Sequence, residues 1–107
     1  MNLKIRESSA RKIAKAARAY VGEHVKYMTV CADMWDWLAD HPDKEKQDYP
    51  IPKESRRFLT GGSCPACNAV DARCCWCPLA TLWGTESLAC MQAERSPYAK
   101  WVAAGRV

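Results

Sequence analysis

Five of the chain's seven cysteines, Cys64, Cys67, Cys74, Cys75 and Cys77, fall within fourteen residues, with Cys90 soon after and Cys31 far upstream. No other feature restricts the fold so tightly. A run this dense either crosslinks or holds a metal, and the surroundings decide between the two. The total is odd, and the opening Met1-Asn2-Leu3-Lys4-Ile5-Arg6 has neither the apolar core nor the small-residue cleavage site of a secretory leader. The reading is therefore a soluble chain in a reducing cytoplasm, where thiols stay free and closely spaced cysteines bind metal.

The two tightest groups are Cys64-Pro65-Ala66-Cys67 and Cys74-Cys75-Trp76-Cys77-Pro78, a C-x2-C-x6-C-x2-C arrangement. Two turns that each offer two thiolates match a closed tetrahedral Zn(II) site, with sulfur at about 2.3 Å. Residues 68–73 reverse the chain between them. Pro78 can open a helix and leave Cys77 at its positive end, which favours the thiolate. The expected metal ligands are Cys64, Cys67, Cys74 and Cys77. Cys90, thirteen residues past Cys77, is the alternative fourth ligand, and Cys75 ranks last because neighbouring residues rarely share one ion. An iron–sulfur cluster competes with zinc, although the C-x2-C-x2-C-x3-C-P spacing is absent. The remaining alternative is small buried thiols with incidental disulfides. The expected zinc is structural: it contributes on the order of 10–16 kcal/mol in small fingers, and the core of so short a C-terminal half is marginal alone.

The first half reads as helix. Ser8 or Ser9 can cap it, and Ala10, Ala14, Ala17, Val21, His24, Met28, Cys31, Trp35 and Leu38 recur at alternating four- and three-residue steps. Ile13, Tyr20, Tyr27 and Met34 run alongside, giving one broad apolar face, and His41-Pro42 ends the pattern. Unbroken over 8–40, such a helix is about 45–50 Å long, against a radius of gyration near 13 Å for a chain of this size. Either Gly22 breaks it into an antiparallel or bent pair, or it projects and packs on a second copy as a homodimer. The preferred reading is a long amphipathic helix, straight or kinked at Gly22.

The expected fold class is mostly α, with residues 1–41 an amphipathic helical segment, 42–52 a polar proline-punctuated linker, and 53–107 a zinc-stapled, helix-rich module. Together they form one compact unit. Pro52 can open a short helix over 53–60, and Ser96-Pro97 a final one through 104, closed by Gly105. Strand content is limited to a short hairpin at the cysteines. With 49% hydrophobic and 26% charged residues the chain is neither disordered nor collagen-like. No apolar run approaches the roughly 18 residues of a membrane span.

Charge is unevenly spread: residues 1–31 carry a net +5, 32–54 a net −4 and 55–107 a net +3. Arg6, Arg11, Lys12, Lys15 and Arg18 form the dense basic surface, extended by Arg56 and Arg57. It is a solvated helix face, or it contacts phosphate; in the second case Arg11, Lys12, Lys15 and Arg18 would position a nucleic acid without reading it. The acidic block beside it argues against uniform coating by a polyanion. Catalytic candidates are weak. His24 reads as an interface histidine and His41 as solvated. Cys31, a buried thiol on the helix face, lies two turns (about 10 Å) from His24, too far for proton transfer. No phosphate loop, serine nucleophile or paired-carboxylate motif stands out, so the expectation is a non-enzyme. Trp37 and Trp76 are the aromatic residues best placed to be exposed anchors.

The pattern Cys64, Cys67, Cys74, Cys77-Pro78-Leu79, Gly84, Cys90 and Pro97-Tyr98 resembles a group of small phage and prophage proteins of unassigned activity. The likeness covers about residues 52–101, and Cys75 departs from it. It implies that Cys90 belongs to the site and that the setting is a phage-infected host cytoplasm. With the small size, it leads us to expect a protein-interaction module: an accessory factor that binds a host defence or transcription component. A nucleic-acid-binding zinc protein using the basic helix is the alternative.

Overall fold

Asn2, rather than Ser8 or Ser9, starts the first helix. Its side-chain Oδ1 accepts from the Ile5 backbone N–H at 3.1 Å, satisfying one of the N–H groups a helix start leaves unpaired. From there α1 runs Leu3–Ala19. The computed structural model describes residues 1–58 and 96–105, and among these it is mostly helical with no strand.

The apolar stripe does not continue as one helix. Helix α1 stops at Tyr20, whose extended backbone leaves the helical region, and α2 begins at Val25 and runs Val25–Asp40. Gly22 sits between them at φ +157°, and a Cβ there would lie 2.5 Å from the Tyr20 hydroxyl oxygen. The Tyr20 hydroxyl in turn accepts from the His24 backbone N–H at 3.4 Å. The turn is thus closed by a side chain folded over a glycine. Of the two arrangements the sequence leaves open, the chain adopts the antiparallel pair. Arg11 meets Asp36 and Asp40, and Arg18 meets Asp33 and Asp36, a pairing only opposed helices allow. The longest dimension is 36 Å, shorter than an unbroken helix over 8–40.

Helix α2 ends at Asp40, where His41-Pro42 was expected to end it, and the His41 N–H closes its last turn on the Trp37 carbonyl at 2.9 Å. A third helix, α3, runs Pro97–Ala104 behind Ser96, whose hydroxyl accepts from the Ala99 N–H at 3.0 Å. It lies antiparallel to α1: the Asn2 N–H donates to the Ala104 carbonyl at 2.8 Å. Cap, proline and closing glycine all fall where the sequence placed them.

The core forms where these helices meet. Ala10, Ile13, Ala14 and Ala17 of α1 pack on Met28, Cys31, Ala32, Met34, Trp35, Leu38 and Ala39 of α2 and on Trp101 of α3. Alanine on the α1 side lets the helix axes approach closely, while α2 and α3 supply the bulk. Trp35 meets Trp101 edge-to-face at 5.1 Å and Tyr98 at 5.8 Å, a favoured geometry for aromatic pairs. The Trp35 and Trp101 indole N–H groups are buried without an acceptor among the described residues, a desolvation cost set against that packing.

The segment after α2 is not a free linker. A 3-10 turn, Lys46–Asp48, and a second, Lys53–Phe58, carry it back along α2. Tyr49 packs edge-on against Trp37 at 5.7 Å and Phe58 against Tyr27 at 4.8 Å. The helix expected over 53–60 is a 3-10 helix where it is described.

Candidate functional site

The most constrained polar group is one the sequence reading misplaced. Arg6 was expected on the basic surface, but its side chain is 1% exposed. Its guanidinium donates through Nε to the Pro42 carbonyl at 3.0 Å, through Nη1 to the Trp101 carbonyl at 3.3 Å, and through Nη2 to the Lys44 carbonyl at 2.7 Å. Nη2 also reaches Glu45 Oε1 at 3.0 Å. The planar fork lies 3.9 Å over the Trp101 ring. Arginine suits this place because one rigid, permanently charged group serves several acceptors at once. A Cβ at position 105 would run into Nη1, so Gly105 leaves room for the guanidinium there. Arg6 therefore ties α1 to the end of α3 and to the chain leaving α2. Periodicity is the one signal that could have revealed it: Arg6 lies four residues before Ala10 and seven before Ile13, within the apolar stripe.

The hollow beside this clasp, about 300 Å³, is lined by Arg6, Glu45, Lys46, Tyr98 and Trp101 among others. Its cations are already engaged: Arg6 with Glu45, and Lys46 Nζ with the Tyr98 hydroxyl at 2.9 Å.

The four residues proposed for phosphate contact do not behave alike. Arg11 and Arg18 lean toward α2. Arg11 bonds Asp36 at 3.2 Å and Asp40 at 2.9 Å, and Arg18 bonds Asp33 at 3.4 Å and also Asp36. Hydrogen bonding, to Asp40 for Arg11 and to Asp36 for Arg18, pushes both guanidinium pKa values up, against a smaller desolvation effect. Both side chains are about half exposed, so solvent screens these pairs strongly. Lys12 and Lys15 are exposed and have no ion pair among the described residues. The basic surface is thus divided, with its arginines opposite carboxylates and its lysines free.

Lys12 borders a second, more open groove of about 560 Å³ between α1 and α3, lined by Ile5, Ser8, Ser9, Lys12, Lys100, Ala103 and Ala104. Arg56 and Arg57 lie elsewhere, on the second 3-10 helix, with Arg57 4.6 Å over the Phe58 ring.

The expected metal ligands Cys64, Cys67, Cys74 and Cys77, the alternative Cys90, and Cys75 and Trp76 lie outside the described residues. Among the described residues no group of three or more His, Cys, Asp or Glu could hold a metal ion. Cys31 is fully buried in the core, as its place on the apolar face implies. His24 is partly buried at the start of α2, with Nε2 3.5 Å from Glu23. His41 is exposed, yet it stacks on Trp37 at 4.3 Å, and its Nδ1 lies 2.9 Å from the Trp37 carbonyl. Trp37 is correspondingly half-buried between His41 and Tyr49. It is not the exposed anchor expected of it, because the returning segment covers it.

The described residues define a class: a small helical protein in which an antiparallel hairpin is closed by a third helix and clasped by a buried arginine. No family model, curated protein or solved structure matches the chain. No helix of the described residues is long and apolar enough to cross a membrane.

Proposed function

We propose that the chain is a non-enzymatic, zinc-stapled interaction module of phage type, an accessory factor that binds and modulates a host protein such as a defence or transcription component. The observation that favours a protein partner over a nucleic acid is the pairing of Arg11 and Arg18 with Asp33, Asp36 and Asp40. Three carboxylates interleaved with two of the four candidate cations oppose a phosphate backbone along that flank, whereas a protein surface can match mixed charge. The staple rests on the spacing of Cys64, Cys67, Cys74 and Cys77, with Cys90 as the alternative fourth ligand.

Affinity capture from host lysate tests the role. The expected result is one host protein recovered repeatedly, whose activity changes when the purified chain is added, together with no mobility shift of DNA or RNA at low salt. Nucleic-acid binding that weakens steeply with salt, and is lost when Lys12 and Lys15 become Ala, would support the alternative instead. Elemental analysis tests the staple: one zinc per chain is expected, removed by chelator with a lower melting temperature. Metal-free protein with an unmoved melting curve would refute it.

A further inference from the structure

The groove between α1 and α3 combines apolar side chains, Ile5, Ala103 and Ala104, with two lysines. Ile5 is 41% exposed there, and Ala103 and Ala104 leave the floor smooth. Lys12 and Lys100 stand at its edge, both exposed, and neither has a carboxylate partner among the described residues. On the neighbouring flank of the same helix, Arg11 and Arg18 each have two.

We propose that this groove docks the partner protein, and that it takes an acidic segment carrying apolar residues at helical spacing. The proposal rests on the interaction-module reading above and names the surface and the chemistry of the partner. The charges specify the sign: on one flank Arg11 and Arg18 are already matched by the carboxylates of α2, while at the groove two ammonium groups without a carboxylate partner among the described residues attract an acidic segment. The floor specifies the rest. A phosphodiester chain could meet both lysines but would leave Ile5 and the alanines uncovered. An amphipathic segment buries that apolar area and places its carboxylates at the edge, as in other helix-in-groove recognition.

The test titrates full-length, isotope-labelled protein with three probes and follows backbone amide shifts. One is a 14-residue peptide of Glu, Leu and Ala with leucines at helical spacing. The second is the same composition scrambled, and the third a single-stranded oligonucleotide of equal net charge. The amphipathic peptide should move Ile5, Ser8, Lys12, Lys100, Ala103 and Ala104 and bind at least tenfold more tightly than the other two. Lys12→Glu with Lys100→Glu should weaken it at least tenfold without changing the melting temperature. Ala103→Trp, which fills the groove and leaves both charges in place, should weaken it as well. Shifts centred elsewhere, charge reversal without effect, or tighter binding of the oligonucleotide would each overturn the proposal. The capture experiment separates the two failures. A host protein retained equally by wild type and the Lys12→Glu, Lys100→Glu variant places the interface elsewhere while the function stands; no host partner at all removes the function itself.

Discussion

Replacing Arg6 by Met should cost more than any surface change in this chain. The substitution keeps an unbranched stem in the same place and removes the charge and every donor. Three backbone carbonyls, at Pro42, Lys44 and Trp101, and the Glu45 carboxylate lose their partner. Hydrogen bonds from a charged donor contribute about 1.5–3 kcal/mol each, but these four share one donor group and do not add. Several of the acceptors are only part-buried, so water can replace some of what is lost. Removing one partner of a buried charged cluster costs about 3–5 kcal/mol, and that is the expected loss. It is a large share of the roughly 5–15 kcal/mol typical of a domain. Glu45 provides the control. Its side chain is 41% exposed, so Glu45→Gln should cost less than about 1 kcal/mol. Arg6→Lys should fall between, since one ammonium cannot span the same acceptors. Urea unfolding followed by tryptophan fluorescence measures all three, because Trp101 lies against the guanidinium. An Arg6→Met protein within about 1 kcal/mol of wild type, or a Glu45→Gln protein as damaged as Arg6→Met, would refute the clasp.

Gly22→Ala should destabilise by about 1–3 kcal/mol, because the new Cβ meets the Tyr20 ring at a backbone angle that side chains rarely adopt; equilibrium unfolding checks it, and a neutral result would refute the closed turn. Asp36→Ala removes the carboxylate that Arg11 and Arg18 share, yet should cost under about 1 kcal/mol, less still at high salt; a larger loss persisting in 1 M salt, where screening reaches about 3 Å, would show the network to be stronger than its exposure implies. Burial, and after it the charge of Asp33, pushes the Tyr49 phenol above its usual pKa. Folding therefore holds its proton more tightly than the unfolded chain does. That contribution is fully present below about pH 10 and is lost as pH rises through the raised value. Stability of wild type relative to Tyr49→Phe should be flat at neutral pH and fall above about pH 10; parallel curves throughout would contradict the shift.

Much of the helical content is legible in the residues. The stripe from Ala10 to Leu38, with Ile13 and Met34 alongside, marks nine of the fourteen buried positions of α1 and α2 and misses Arg6, Ser9, Val30, Ala32 and Ala39; one of its own members lies off the core. Val21 lies on the stripe but is 93% exposed, because it sits at the tip where the chain turns back. A seven-residue rhythm is the same whether a helix continues or folds on itself, so periodicity cannot separate the two. Ser8 and Ser9 also have capping side chains and place the start of α1 six or seven residues beyond its cap at Asn2; Ser9 is instead buried and Ser8 donates to the Ile5 carbonyl at 3.3 Å. The candidate site divides in the same way. Residue type identifies Arg11, Lys12, Lys15 and Arg18 as cations, but the partners that engage Arg11 and Arg18 lie 15 to 29 residues away on the facing helix.

Local chemistry alone determined that the described residues are mostly helical, that proline ends α2 after Asp40, and that Ser96, Pro97 and Gly105 bound α3, since caps and ring constraints act within a turn or two. Tertiary packing decided the rest: that the stripe closes on itself as a hairpin, that Arg6 is buried and Trp37 covered, and that two of the basic side chains face carboxylates while two stay free. Those outcomes depend on which distant surfaces meet. A guanidinium placed among apolar neighbours is stable only when carbonyls from two other parts of the chain converge on it, and no run of neighbouring residues encodes that convergence.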